Sequence, residues 1–342
     1  MLEGATVRVD ENGRDPHDSF LTREEGAMAT EDWTFGGTWP YEPRWFEHAD
    51  GKLHYVDEGP RDGKPVVMVH GNPTWGYLYR NFIPALVAAG YRCIVPDHLG
   101  FGRSDKPDRA ELYQVPRHAK RLEALLESLD LHDATLVSQD WGGPLGFYWA
   151  TRHPDRIAAL CVLNTFAHRP PGKVELPVPL RLFRTPGIGE VMVKGGHMFV
   201  RGFLFKAGIM HQERITPEIR AAYLAPHPTY SSRTAILVFP REIPADSTGR
   251  VADFMGEVEA GLASLKDKPT MIAWAMKDVA FLPQYLDDLW LPAFPNAEVL
   301  RLPDAGHYLQ EDAHERIVPK LVAHLGSVFK SGARVDGTTT AS

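Results

Sequence analysis

Asp140 stands in Ser138-Gln139-Asp140-Trp141-Gly142-Gly143, after the apolar and β-branched run Ala134 to Val137 and before the helical pattern Leu145 to Thr151. A strand, a sharp turn and a helix in that order expose the turn residue above the end of a sheet. A small residue two before it and a glycine two after it let the turn close. Serine is the usual occupant of such a turn. A carboxylate there suits attack on a saturated carbon, giving an ester that water later hydrolyses. The bland alternative is an aspartate that merely caps a helix. At a helix start, exposed amides and the macrodipole also hold a carboxylate ionised.

Two further groups would complete that chemistry. His307, in Asp304-Ala305-Gly306-His307-Tyr308, follows the last strand-like run, and an imidazole can take a proton from water near neutrality. An acid must orient it and stabilise its charged form. Asp278 follows the run Thr270 to Trp274 and fills that role, whereas the other usual location holds Asn164, which carries no charge. Asp287, Asp288 and Asp304 read as surface carboxylates. The loop His70-Gly71-Asn72-Pro73 follows another apolar run and would supply one oxyanion N–H, with the second from Trp141. The Asn72 amide and the Trp141 indole can each donate a neutral hydrogen bond to a departing anion without pairing with Asp140. His70 precedes the turn and reads as structural.

These residues need a sheet whose strand ends converge. Lys52-Leu53-His54-Tyr55-Val56 alternates, implying an antiparallel opening pair between Trp45 and Gly59. Pro65 to Val69 is continuously apolar, as a strand buried on both faces should be. Helical segments are expected over Trp75 to Ala89 and over Arg117 to Leu131, where Leu122, Leu125, Leu126 and Leu129 share a stripe. Further strands are expected at Arg92–Val95, Ile157–Leu163, Thr270–Trp274 and Glu298–Leu302, with a final helix from Glu311 to Phe329. Such alternation implies a mostly parallel sheet flanked by helices, an α/β class. The order nucleophile, acid, base is that of the α/β-hydrolase fold. From residue 165 to 267 the alternation gives way to Pro, Phe, Leu and Met, with helical stretches near Gly189–Lys206 and Pro217–Leu224. We expect a helical lid there, inserted into a core of residues 41–164 and 268–330. Phe166, Phe183, Phe199, Phe203, Leu204 and Phe205 would give it an apolar cavity.

The 342 residues are 44% hydrophobic and 24% charged, and their net charge of -7 speaks against nucleic acid as a partner. No run approaches the roughly 20 apolar residues of a membrane span. The two cysteines, Cys93 and Cys161, sit in strand-like runs and read as buried free thiols, so a reducing, cytoplasmic location is expected. Residues 1–40 read as a flexible leader without signal-peptide character, with Met28 as a possible second start. Residues 331–342 read as a disordered tail. No cluster has metal-ligand spacing, and neither metal nor cofactor is expected.

Gln139-Asp140-Trp141-Gly142-Gly143, His70-Gly71-Asn72-Pro73-Thr74-Trp75, the run Pro96 to Asp105 and Gly306-His307 together resemble the haloalkane dehalogenase family over about Tyr41 to Val328. The resemblance implies hydrolysis of a haloalkane to alcohol and halide through an ester on Asp140. The partners it implies are a small hydrophobic substrate and a halide ion. One group of that family carries a second halide-binding tryptophan in the lid; residues 165–267 contain none. Another takes its acid as a glutamate where Asn164 stands. Asn72 with Trp141, and Asp140 with Asp278 and His307, are similar to the third subfamily, which implies association into larger oligomers. That subfamily also contains β-lactone decarboxylases, and Ala221 to Pro226 with Ile243-Pro244 resemble them. Gln139 looks more like a dehalogenase, since decarboxylases often have histidine there. Epoxide hydrolysis would need lid tyrosines as acids, for which Tyr223 and Tyr230 are the candidates.

Overall fold

The computed structural model describes residues 32–335. Its strands are β1 (Arg44–Phe46), β2 (Leu53–Glu58), β3 (Pro65–Val69), β4 (Arg92–Pro96), β5 (Ala134–Asp140), β6 (Ile157–Thr165), β7 (Thr270–Ala275) and β8 (Glu298–Leu302). They form one sheet in the order β1-β2-β4-β3-β5-β6-β7-β8. β1 pairs antiparallel with β2, and β2 antiparallel with β4; every other pairing is parallel. β3, β5 and β7 are buried at every position, as their unbroken apolar runs require when helices cover both faces.

The helices flanking the first half are α1 (Ile83–Ala88), α2 (Val115–Ser128) and α3 (Gly142–Arg152). The helix expected over Trp75 to Ala89 is in fact a 3-10 turn, Gly76–Tyr79, followed by α1. On α2 the side chains of Leu122, Leu125 and Leu126 are buried, as their stripe requires. Between β6 and β7 the elements are α4 (Val178–Arg184), two π-helical segments (Glu190–Gly195 and Phe199–Gly208), α5 (Pro217–Leu224), α6 (Thr234–Glu242) and α7 (Arg250–Gly261). The single helix expected over Gly189–Lys206 is broken. Gly195-Gly196 interrupt it, and His197 turns the chain with φ +54°.

α8 (Leu309–Val335) closes the fold and is irregular at Ala313. It runs past Ser331, where the tail was expected to begin; residues 336–342 lie outside the described residues. The leader expected to reach residue 40 ends earlier. Residues 1–31, with Met28, lie outside the described residues, but Phe35 and Trp39 are buried against the core. Trp39 meets the Trp75 ring edge-on at 5.2 Å, Phe35 meets Tyr77 at 5.9 Å, and Thr38 Oγ1 hydrogen-bonds Tyr77 Oη at 2.8 Å. Burial of these two large rings outweighs the polar, glycine-containing composition of that stretch.

The inserted helices are anchored to the strand ends by polar contacts. Trp75 Nε1 donates to the Ala222 carbonyl at 2.9 Å. Arg80 makes a bidentate pair with Glu311 at 2.5 and 2.6 Å, and Tyr223 Oη donates to the same carboxylate. All three side chains are buried, so losing one partner would leave an unpaired charge in the interior. Cys93 and Cys161 are free and buried, and burial pushes the Cys161 thiol up to about 12.

Candidate active site

Asp140 ends β5, with a shift of register between Gln139 and Asp140 and a left-handed backbone, φ +53°. A non-glycine residue in that conformation costs on the order of 1–3 kcal/mol, and the surroundings must hold it there. They do so by excluding side chains. A Cβ on Gly142 would strike the Val69 carbonyl, and one on Gly71 would fall into the Asp140 carboxylate. Thr165 Oγ1 donates to the Asp140 carbonyl, pinning the turn to the neighbouring strand. The side chain is thereby presented above the sheet, at the start of α3.

Its carboxylate is met from two sides. The Asn72 backbone N–H donates to Asp140 Oδ1 at 2.7 Å, and His307 Nε2 lies 3.5 Å from Oδ2. On its far side His307 Nδ1 donates to Asp278 Oδ2 at 2.9 Å. Asp278 Oδ1 accepts from the Ala280 and Phe281 amides at 2.7 and 3.1 Å, and Asn164 Nδ2 donates to Oδ2 at 2.9 Å. Four donors thus orient this buried acid. The structure therefore gathers Asp140, Asp278 and His307 from the ends of β5, β7 and β8. Asp287 and Asp304 instead pair with Arg301 and Arg316 at the surface.

Burial alone would lower the pKa of His307. The charge of Asp278, the bonds to Asp140 and Asp278 and the charge of Asp140 outweigh it and raise the value to about 10. A histidine held above its unfolded value near 6.5 stabilises the fold fully below that pH, and the stabilisation is lost as pH rises through about 10. Thermal stability measured from pH 6 to 11 is thus expected to fall across this window. Asp278→Asn, which removes the largest raising influence, should flatten the decline.

Three contacts escaped the sequence. Asn164, set aside there because it carries no charge, donates to Asp278 and accepts from the Ala275 amide at 2.6 Å. Its position at the end of β6 was the available signal. Asn164→Ala is expected to lower stability by about 1–3 kcal/mol, the effect of unmaking hydrogen bonds to a buried charge, as read by denaturant unfolding. Gln139 Nε2 lies 3.2 Å from His307 Nε2 and donates to the His307 carbonyl at 3.1 Å. The ring nitrogen thus faces a donor and an acceptor: neutral, it accepts from Gln139; protonated, it donates toward Asp140. Tyr308 Oη donates to the Asn72 carbonyl at 3.3 Å, steadying the loop opposite.

Asn72, Asp140, Trp141 and His307 share one cavity of about 540 Å³, within the ~300–1,000 Å³ range of ligand sites. Asn72 Nδ2 reaches the Ile236 carbonyl only at 3.5 Å, so it remains a weakly held donor. Phe166, Phe199 and Phe203 line the cavity; Phe183, Leu204 and Phe205 are buried away from it. Arg169 and Lys173 line it too, but among the described residues no lysine or arginine pairs with Asp140, and Arg169 is tied to Asp253 at 2.8 Å. His70 takes no part. It is buried, its Nδ1 donating to the Gly71 carbonyl at 2.8 Å and its Nε2 accepting from the His98 amide at 3.1 Å. Neither Tyr223 nor Tyr230 lines the cavity: Tyr223 is bound to Glu311, and Tyr230 is exposed with Lys194 over its ring.

Residues 64–314 match the family model described as alpha/beta hydrolase fold. The chain is 38% identical over 281 residues to a cis-3-alkyl-4-alkyloxetan-2-one decarboxylase of Shewanella oneidensis, covering 82% of this chain and 86% of that protein. It is 34% identical over 288 residues to haloalkane dehalogenase 2 of Mycobacterium bovis, covering 84% and 96%. The crystal structure of the haloalkane dehalogenase DbeA from Bradyrhizobium elkani superposes with a TM-score of 0.77 at 29% identity, over 85% of this chain and 99% of that one. Fold, strand-end geometry and relatives agree: the chain belongs to the α/β-hydrolase family, among relatives that include haloalkane dehalogenases and β-lactone decarboxylases.

Proposed function

We propose that the protein hydrolyses a carbon–halogen bond of an apolar haloalkane. Asp140 displaces halide from a saturated carbon, forming an alkyl ester and releasing the halide between the Trp141 indole N–H and the Asn72 amide. That esterification removes the Asp140 charge, one of the influences that raise the pKa of His307, so the ring releases its proton more readily. Neutral His307, held by Asp278, then takes a proton from water, whose oxygen attacks the ester carbonyl. The Asn72 and Trp141 backbone N–H groups stabilise the oxyanion. Its collapse expels the alkoxide, which takes the proton back from His307 and leaves as the alcohol, and the proton on the regenerated Asp140 carboxyl passes to His307. Residues 165–267 act as the lid over this reaction.

The observation that carries this reading is a carboxylate sharing one largely apolar cavity with Asn72 and Trp141, whose side chains each carry a neutral N–H donor. Trp141→Phe keeps the ring and removes one donor. It should lower bromide release by about 10²–10³-fold, the effect of one lost anion-stabilising donor, with the melting temperature little changed. Steady-state turnover of a bromoalkane checks it.

The 38% identity to an oxetan-2-one decarboxylase favours a second reading. Asp140 would attack the ring carbon that bears oxygen, and the ring carboxylate would leave toward the same donors. Loss of carbon dioxide would then form the alkene as the bond to Asp140 breaks. Incubation with a bromoalkane, a β-lactone and an epoxide, with assay of bromide, carbon dioxide and diol, separates the readings. Bromide at background for every chain length would refute the first. Oligomers and a cytoplasmic location, which two buried free thiols suit, complete the proposal.

A further inference from the structure

Large apolar side chains are unevenly exposed. Among the described residues nine are well exposed; five of them lie on residues 178–198, the segment that carries the cavity residue Leu180, and two more line the cavity. Val178 and Leu182 lie on α4, whose inner residue Leu180 lines the cavity. Ile188 precedes the first π-helical segment, Val191 (72% exposed) lies on it, and Met198 caps the second, whose Phe199 ring meets Phe183 of α4 at 5.2 Å. Val279 and Leu282, both exposed, line the cavity itself. A folded chain seldom leaves so many large apolar side chains of one region uncovered without a use for them.

The same segment is cationic. Residues 178–208 carry Arg181, Arg184, Lys194, Arg201 and Lys206 against Glu190 alone, a net charge of +4 in a chain of -7. Arg181 falls three residues after Val178, beside it on the helix surface. Arg181 and Lys206 are exposed, and neither makes an ion pair among the described residues. Exposed apolar side chains interspersed with cations are what an anionic lipid interface attracts. A two-fold contact between copies would instead set like charge against like.

We propose that this face docks on an anionic lipid surface, with the cavity mouth turned toward the bilayer, so that an apolar substrate enters from the membrane. The choice of substrate rests on the preceding reading, but the docking does not, and it is tested without substrate. Full-length protein is mixed at low salt with vesicles of phosphatidylcholine alone or with equal parts phosphatidylglycerol, then floated on a density gradient. The protein should float with the anionic vesicles and be released by high salt. Leu182→Glu combined with Val191→Glu should cut the bound fraction about tenfold, and Arg181→Glu several-fold on anionic vesicles only. Trp45→Ser, at an exposed site on β1, should leave binding unchanged. All variants should keep the wild-type melting temperature, since the altered side chains are exposed. Wild-type protein that stays in the buffer, or a double variant that floats equally well, overturns the proposal. So does sedimentation showing a wild-type oligomer that the double variant dissociates without any flotation, which would make the face a contact between copies.

Discussion

Asp140→Ala is expected to lower bromide release by at least about four orders of magnitude, the scale on which removal of a covalent nucleophile acts. The fold should survive, because the elbow is shaped by Gly142 against the Val69 carbonyl and by the Thr165 bond to the Asp140 carbonyl, neither of which uses the carboxylate. The variant should also change its histidine. The charge and hydrogen bond of Asp140 are among the influences that raise His307. Their removal should lower the imidazole pKa, readable by NMR titration of the ring. A general electrostatic or capping role for Asp140 would leave turnover reduced only modestly. Activity within tenfold of wild type would exclude Asp140 as nucleophile.

His307→Phe acts on the other half of the reaction. The first displacement needs Asp140 and the two donors but no base, so it should proceed. Hydrolysis needs a group to take the proton from water, and phenylalanine offers none. Steady-state turnover should therefore fall by about four orders of magnitude or more, while one equivalent of bromide appears in a burst. The substitution also leaves Asp278 without its imidazole partner, although Asn164 and the Ala280 and Phe281 amides still hold that carboxylate. Loss of the burst together with turnover would mean that His307 is needed before the ester forms.

The sheet was legible because its strands obey simple burial. Continuous apolar runs such as Pro65 to Val69 became central strands, and the alternating Leu53 to Val56 became part of the outer antiparallel pair. Asp140, His307 and Asp278 were legible for a related reason: each ends or closely follows a strand of this sheet, so one topology brings them together. The elements between β6 and β7 were far less readable. Their proline, glycine and π-helical turns depend on packing against one another, and periodicity cannot report that a helix will break at Gly195-Gly196. Residues 32–40 misled for the opposite reason, since a polar composition concealed rings that pack onto Trp75 and Tyr77. Asn164 was judged by its charge alone, and its value lies in a hydrogen bond that sequence does not display.

The shared chemistry of the two readings also explains why residues alone do not separate them. Both need a carboxylate at the elbow and donors for a departing anion; they differ in whether water must enter afterwards. Gln139 bears on that difference, because its amide faces the ring nitrogen that would take the proton.

Intact mass of His307→Phe after incubation with a bromoalkane tests the two-step scheme most directly. The expected result is a single adduct equal to the substrate's alkyl group, mapped by peptide mass to Asp140 and absent from the Asp140→Ala, His307→Phe double variant. Bromide released over many turnovers with no adduct, or an adduct on another residue, would contradict covalent attack by Asp140.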